Sequence, residues 1–256
     1  MAPRVFIADD AIHGSHLVLD GALARHLAGA LRLRPGEDLV AVTTDGIEHQ
    51  CKVVSATSRR VEAQVLRSLP SRQEPRLQVR VCASLLKADQ FERILEYCTE
   101  LGATSFQPIV AERSVPRLSA AKLDSRTERW REVLRGAAEL GRRGRVPELL
   151  PLATLSVSIA RSNNEGAQSF VLYEGSGLPP LSGVDVDVTR PVCLFVGPEG
   201  GWSDAEVTLV RDLKALPVSL GPRIMRPLPA ALTALTLLLH RSRDLQSANQ
   251  EDMEAR

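Results

Sequence analysis

Three glycine-bearing turns carry the residues best suited to holding a small ligand. The most informative is Phe195-Val196-Gly197-Pro198-Glu199-Gly200-Gly201-Trp202-Ser203, which follows an apolar run from Pro191 to Val196 that reads as a buried strand. Ser203 and Glu206 then supply the S-x-x-E spacing of a capping box at the start of a helical pattern. Strand, glycine turn and helix start together make a loop whose backbone N–H groups can face a ligand, because glycine lets the main chain approach closely. A second turn, Ser219-Leu220-Gly221-Pro222-Arg223-Ile224-Met225-Arg226, again follows a strand and precedes a helix. A third, Tyr173-Glu174-Gly175-Ser176-Gly177, also ends a strand. Turns that follow strands of one parallel sheet sit side by side at its carboxyl edge, the crevice where open α/β sheets bind ligands. Neither G-x-G-x-x-G opening a helix nor G-x-x-x-x-G-K-[ST] is present. The pocket is therefore expected to take an adenosine-like ligand without a phosphate cradle. The plainer alternative is a set of tight strand-to-helix turns with no ligand.

The elements that would position these turns alternate. Leu77 to Leu85 reads as a strand, and Ala88 to Leu101 as a helix with Phe91, Ile94, Leu95 and Cys98 on one face, stopped by Gly102. Phe106 to Val110, Ser169 to Tyr173, Val192 to Val196 and Val218 to Leu220 read as further strands. Helices are predicted over Asp124 to Leu140, Ser203 to Leu213 and Pro229 to Leu245. That alternation implies a mostly parallel sheet with helices on both faces. Before it, residues 1–69 read as a small β-rich unit. Leu39 to Val42, Gln50 to Ala56 and Arg60 to Leu69 are strands, Asp45-Gly46 is a hairpin turn, and Ala22 to Leu31 is one short helix. Ser68 to Pro75 is polar and proline-bearing, and the domain boundary is placed there; the tail 246–256 is polar and expected to fray.

Composition narrows the class. The 256 residues carry a net charge of +1, so the chain as a whole does not advertise a polyanionic partner. From Arg113 to Arg145, however, ten basic residues meet four acidic ones, an excess of six. Such a block can steer RNA or DNA phosphates, or it can be a solvated helical face. Cys51, Cys82, Cys98 and Cys193 show no C-x-x-C pairing, and the five histidines lack metal-ligand spacing, so neither a metal site nor a disulfide framework is expected. With no secretory segment and no apolar run long enough for a bilayer, no membrane association is expected and the cytoplasm is the expected compartment.

Gly197-Pro198-Glu199-Gly200-Gly201 followed by Leu220-Gly221-Pro222-Arg223-Ile224-Met225-Arg226 resembles the cofactor motifs of the SPOUT methyltransferases. More closely, it resembles the bacterial enzymes that methylate N3 of a uridine in small-subunit (16S) ribosomal RNA. The similarity runs nearly end to end. It takes in Arg4-Val5-Phe6-Ile7, His26-Leu27, Leu31 to Glu37 and Asp45-Gly46. Further along it includes Lys87, Glu100-Leu101-Gly102, Glu112-Arg113-Ser114, Trp130, Ala137-Ala138-Glu139 and Arg145 to Glu148.

The resemblance implies an α/β protein in two parts: a PUA-like β-barrel over 1–69 that binds RNA, and a SPOUT domain over 76–246 whose C-terminal part forms a trefoil knot, with 247–256 a flexible tail. It implies S-adenosylmethionine as cofactor, a homodimer, and ribosomal RNA or the small ribosomal subunit as partner. Cofactor contacts would come from Tyr173, Glu174, Val196, Gly197, Pro198, Gly200, Gly201, Leu220, Gly221, Ile224, Met225, Arg226 and Leu228. Arg226 would stabilise or orient a uracil anion, and Glu199 would accept a proton or else simply hold its turn. RNA contacts would come from Arg4, His26, Arg32, Arg34, Lys87 and Arg113, any of which can instead be an ordinary surface residue. One departure stands out. Where the family shows Thr-Glu-Thr-Ala after this arginine, the chain has Pro227-Leu228-Pro229-Ala230, without those hydroxyls or carboxylate. In addition, Leu140 follows Glu139 where the family has glutamine, and Tyr97 stands at a usual lysine. A same-fold methyltransferase acting on a small molecule, and a catalytically weakened RNA-binding homologue, are the alternatives these changes leave open.

Overall fold

The computed structural model describes residues 2–87, 89–114 and 119–246, and its contacts separate two units. Met1–Glu74 and Ala138–Val146 form one; Pro75–Ala137 and Pro147–Arg256 form the other. The sequence reading put 138–146 in the second domain, but these residues fold with the first. The tail 247–256 lies outside the described residues.

In the first unit, β1 (Arg4–Phe6), β2 (Ile12–His13), β3 (His16–Asp20), β4 (Asp38–Val42), β5 (Ile47–Ala56) and β6 (Arg60–Pro70) make one sheet in the order β1-β4-β5-β6-β3-β2. β1 pairs parallel to β4, and the other neighbours are antiparallel. Alternation decides the faces: Cys51 and Val53 of β5 and Val61 and Ala63 of β6 point into a core with Leu17, Leu19, Leu27 and Leu39. Asp45-Gly46 does turn the β4–β5 hairpin, with Gly46 at φ 84°. The helix expected over 22–31 is shorter. It is α1 (Gly21–Arg25) followed by a wider π-type turn, His26–Ala30, and the chain leaves through Arg32 at φ 54°. The proposed linker is also shorter than 68–75, because β6 stays paired with β5 out to Pro70 opposite Ile47.

A charged clasp fastens 138–146 within this unit. Arg143, 3% exposed at its side chain, grips Glu74 with two donors at 2.9 and 2.7 Å. Glu74 Oε1 also accepts the Gly144 N–H at 2.8 Å. Ala138 meanwhile packs with Phe6 and Val42.

The second unit contains β7 (Val79–Ser84), α2 (Gln90–Leu101), β8 (Ser105–Val110), α3 (Ala120–Leu140, to Ala137 in this unit), β9 (Glu148–Leu149), β10 (Ala153–Thr154), α4 (Leu155–Asn164), β11 (Gln168–Leu172), β12 (Val192–Val196), α5 (Asp204–Asp212), β13 (Leu216–Val218) and α6 (Pro227–Arg241). Its strands run β10-β8-β7-β12-β11-β13, with β9 also on β8, and every pairing is parallel. All five residues of β12 are buried, the near-continuous apolar run of a strand covered on both faces. α2 and α6 pack together and against β7 and β12. Leu155 and Ile159 of α4 and Val207 and Val210 of α5 share a core with Cys82, Cys193 and Phe195. α4 was not expected from sequence: Leu-Ser-Val-Ser-Ile-Ala has a weak helical propensity, and tertiary packing plus the Thr154 cap, which accepts the Val157 N–H, override it. Arg241 of α6 donates to the carbonyls of Ser182 and Val184 in the connection between β11 and β12.

Removing the clasp tests the first unit. Burial alone would raise the Glu74 carboxyl, but the Arg143 hydrogen bonds and charge and two backbone N–H groups outweigh it, so its pKa lies below the usual carboxylate range. A depressed carboxyl contributes stability that is present above the unfolded value and lost as pH falls through the folded one. Glu74→Ala is expected to cost about 2 kcal/mol at neutral pH, less than a fully buried pair because a quarter of Glu74 remains exposed (26%). In urea titrations the difference from wild type should shrink on acidification below about pH 4; an unchanged difference would exclude the ionised clasp.

Candidate functional site

Parallel pairing brings the three glycine turns together. Val171 is level with Phe195 across β11 and β12, and Leu172 with Val218 across β11 and β13. The chain therefore leaves all three strands at one edge, where the turns enclose a cavity of about 330 Å³. From the turn after β11, Tyr173 and Glu174 line it. From the turn after β12 come Val196, Gly197, Pro198, Glu199 and Gly201. From the turn after β13 come Leu220, Gly221, Ile224, Met225 and Arg226. Two expected residues do not line it. Gly200 lies against Arg113, whose Cβ would be 3.3 Å from a Cβ added there, and Leu228 is the second residue of α6. A second hollow of about 310 Å³ adjoins the first and shares Glu174, Ser219, Gly221, Arg223 and Ile224 with it.

Trp202 anchors the middle turn. It is buried, donates its Nε1–H to the Leu172 carbonyl at 3.0 Å, and lays its ring along Gly197. Sequence reasoning missed this residue, although a signal was present. Trp202 immediately precedes the N-cap Ser203 and shares a core with Val207, the hydrophobic-staple positions on either side of the capping box. The capping box itself forms as read, with Ser203 and Glu206 each accepting the other's backbone N–H. Gly201 adopts φ 70°, a left-handed conformation that favours glycine, and a Cβ there would displace only the flexible end of Glu174. Ser219, Arg223, Pro227 and Ala230 also line the cavity without having been singled out as contacts. α6 begins at Pro227, two residues earlier than expected, so the proline occupies its first position, where the missing N–H costs no helical hydrogen bond.

The remaining expected residues separate. Arg4 corrects the sequence reading: its side chain is 8% exposed, its Nη2 is bound to Glu48 at 2.6 Å and its Nε to the Arg143 carbonyl at 2.9 Å, so it is committed inside the first unit rather than presented to a phosphate. His26, Arg32 and Arg34 are exposed around the turn that follows α1. Lys87 is exposed, and its backbone N–H donates to Glu199 Oε1 at 3.1 Å. Arg113 donates to the carbonyls of Gly200 and Trp202. The four cysteines are buried and free, with burial pushing Cys98 up to about 12 and Cys51 to about 11. Among the described residues no group of three His, Cys, Asp or Glu could hold a metal ion, and no helix is long and apolar enough to cross a membrane.

Each unit has counterparts among known proteins. Residues 72–239 match the family described as RNA methyltransferase domain, and residues 19–66 match the RNA methyltransferase PUA domain. The chain belongs to this RNA methyltransferase family. Among its relatives is the ribosomal RNA small subunit methyltransferase E of Mycobacterium tuberculosis, 34% identical over 87% of this chain and 85% of the relative. The protein of the same name in Bacillus subtilis is 28% identical over 88% of this chain and 90% of its own. The Neisseria gonorrhoeae enzyme of that name, solved bound to S-adenosyl methionine, superposes with a TM-score of 0.85 at 26% identity, covering 94% of this chain and 98% of that one.

Gly197→Ala probes the anchored turn. The added Cβ would meet the indole Cε2 at 3.0 Å and Nε1 at 3.1 Å, and the hydrogen bond to Leu172 prevents the ring from yielding freely. A loss of about 1–3 kcal/mol by chemical denaturation is expected; a neutral substitution would show that the ring is not fixed there.

Proposed function

We propose that this chain is an S-adenosylmethionine-dependent methyltransferase that methylates N3 of a uridine in small-subunit ribosomal RNA. The observation that carries the reading is the convergence of the three turns on one cavity, in a chain whose relatives are small-subunit methyltransferases along most of their length. The uridine N3 target rests on the motif resemblance around 197–201 and 220–226.

The residues fit the cofactor. The cavity falls within the roughly 300–1,000 Å³ of small-ligand pockets. Leu172, Val196, Leu220 and Met225 give it apolar walls suited to a purine, and the glycine turns bring backbone polar groups to its edge. When bound, S-adenosylmethionine supplies an electrophilic methyl group on its sulfonium. Arg226, at the N-cap of α6 and on the cavity wall, stabilises the uracil anion left when N3 loses its proton. Glu199 holds the turn at Lys87, which favours an orienting role over proton transfer. His26, Arg32 and Arg34 hold RNA phosphates.

In this reading the unit of residues up to 74 with 138–146 is the RNA-holding domain, and the unit of 75–137 with 147–246 is the transfer domain. The trefoil knot rests on the motif resemblance. The motif resemblance supports a homodimer working in the cytoplasm. A second reading, an RNA-binding homologue of weakened activity, draws on Pro227 in the cavity wall, where the family carries a hydroxyl.

The test is transfer of labelled methyl from S-adenosylmethionine to small ribosomal subunits that lack the modification, with the modified base mapped by primer extension. Wild type should label one uridine. Arg226→Ala should lower kcat by about 10²-fold. RNA binding by wild type without transfer would establish the second reading instead.

A further inference from the structure

We propose that Arg113, together with Glu112, is a positioning residue for the cofactor-side glycine turn rather than a contact to RNA. The proposal rests on the cofactor reading above. It starts from an unusual concentration of bonds. The Arg113 Nη1 donates to the carbonyl of Gly200 at 3.0 Å and to that of Trp202 at 3.3 Å. Its Cβ and Cδ cover Gly200, where an added Cβ would stand 3.3 and 3.6 Å from them. The Glu112 N–H donates to Glu206 Oε1 at 2.9 Å, and the Glu112 carboxylate accepts the Ser203 hydroxyl at 2.5 Å.

Two consecutive residues thus grip both the turn and the helix start that follows it. Each partner is already in use on the other side. Glu206 Oε2 accepts the Ser203 N–H, and Ser203 Oγ accepts the Glu206 N–H, so the Glu112 bonds extend the capping box from α5 into the segment after β8. Trp202, whose carbonyl Arg113 binds, is the residue whose ring fixes Gly197 and whose Nε1 fixes Leu172. Gly197, Pro198, Glu199, Gly201 and Trp202 all line the cavity, so the clamp sets the shape of one of its walls. Both bonds come from one guanidinium nitrogen, Nη1, so a single planar, permanently charged group ties the two carbonyls together.

The consequence is a separation of effects. Arg113→Ala should weaken S-adenosylmethionine binding about tenfold by calorimetry, the scale of a lost charged hydrogen bond. In methyl transfer it should raise the KM for the cofactor more than it lowers kcat. The affinity for small-subunit RNA should stay unchanged, and so should the slope of that affinity against salt. A lost phosphate contact would instead reduce the slope by about one. Arg113→Lys should recover part of the cofactor affinity, and it keeps the question answerable if the alanine variant does not fold. A reduced salt slope with unaltered cofactor binding would overturn the proposal, as would unaltered cofactor binding in both variants. Failure of the wild type to bind S-adenosylmethionine would remove the cofactor reading itself, and the positioning role with it; that outcome is recognised in the wild-type titration before any variant is compared.

Discussion

The place of the cavity follows from the parallel alignment of β11 between β12 and β13. Parallel neighbours must leave the sheet at the same edge, so the turns that begin at Tyr173, Gly197 and Ser219 are neighbours in space although they are tens of residues apart in the chain. Both strands flanking β11 follow it in sequence, one on each side, which makes a topological switch point of the kind where open sheets admit ligands. Alignment alone would leave three floppy loops. The middle one is made specific by hydrogen bonds from both sides, from the Trp202 indole to Leu172 and from the Arg113 guanidinium to Gly200 and Trp202.

Much of this was legible in the sequence because local signals and tertiary demands agree there. The apolar run 191–196 is a fully buried strand, the Ser203–Glu206 spacing closes as a capping box, and the periodic Phe91, Ile94, Leu95 and Cys98 are the buried face of α2. Gly102 takes φ 123° and ends that helix as its position suggested. The cavity-lining glycines were visible for a related reason: a residue without Cβ is the local trace of a close approach.

What the sequence hid depends on long-range partners. Arg4 looks like a surface cation until Glu48 and Arg143 close on it, and Arg113 looks like part of a basic block until the loop 87 residues later supplies its acceptors. α4 is weak by local propensity and exists because Leu155 and Ile159 complete a core with Phe195. The return of 138–146 to the first unit is set by Ala138 against Phe6 and by Arg143 on Glu74. Neither leaves a local mark, because a contact across 69 residues has no period to detect.

A proline at the start of α6 forms part of the cavity wall. Pro227 sits at the first position of α6, where a helix tolerates it, and it offers the wall neither a side-chain donor nor a backbone N–H. The proposed function places S-adenosylmethionine against this wall, in the cavity the three turns enclose. Hydrogen exchange of the full chain with and without S-adenosylmethionine tests this most directly. Slowed exchange concentrated in the amides of 172–174, 196–202 and 219–226 is the expected result. Unchanged exchange in those three segments at saturating cofactor, or protection elsewhere instead, would contradict the assignment of the cavity.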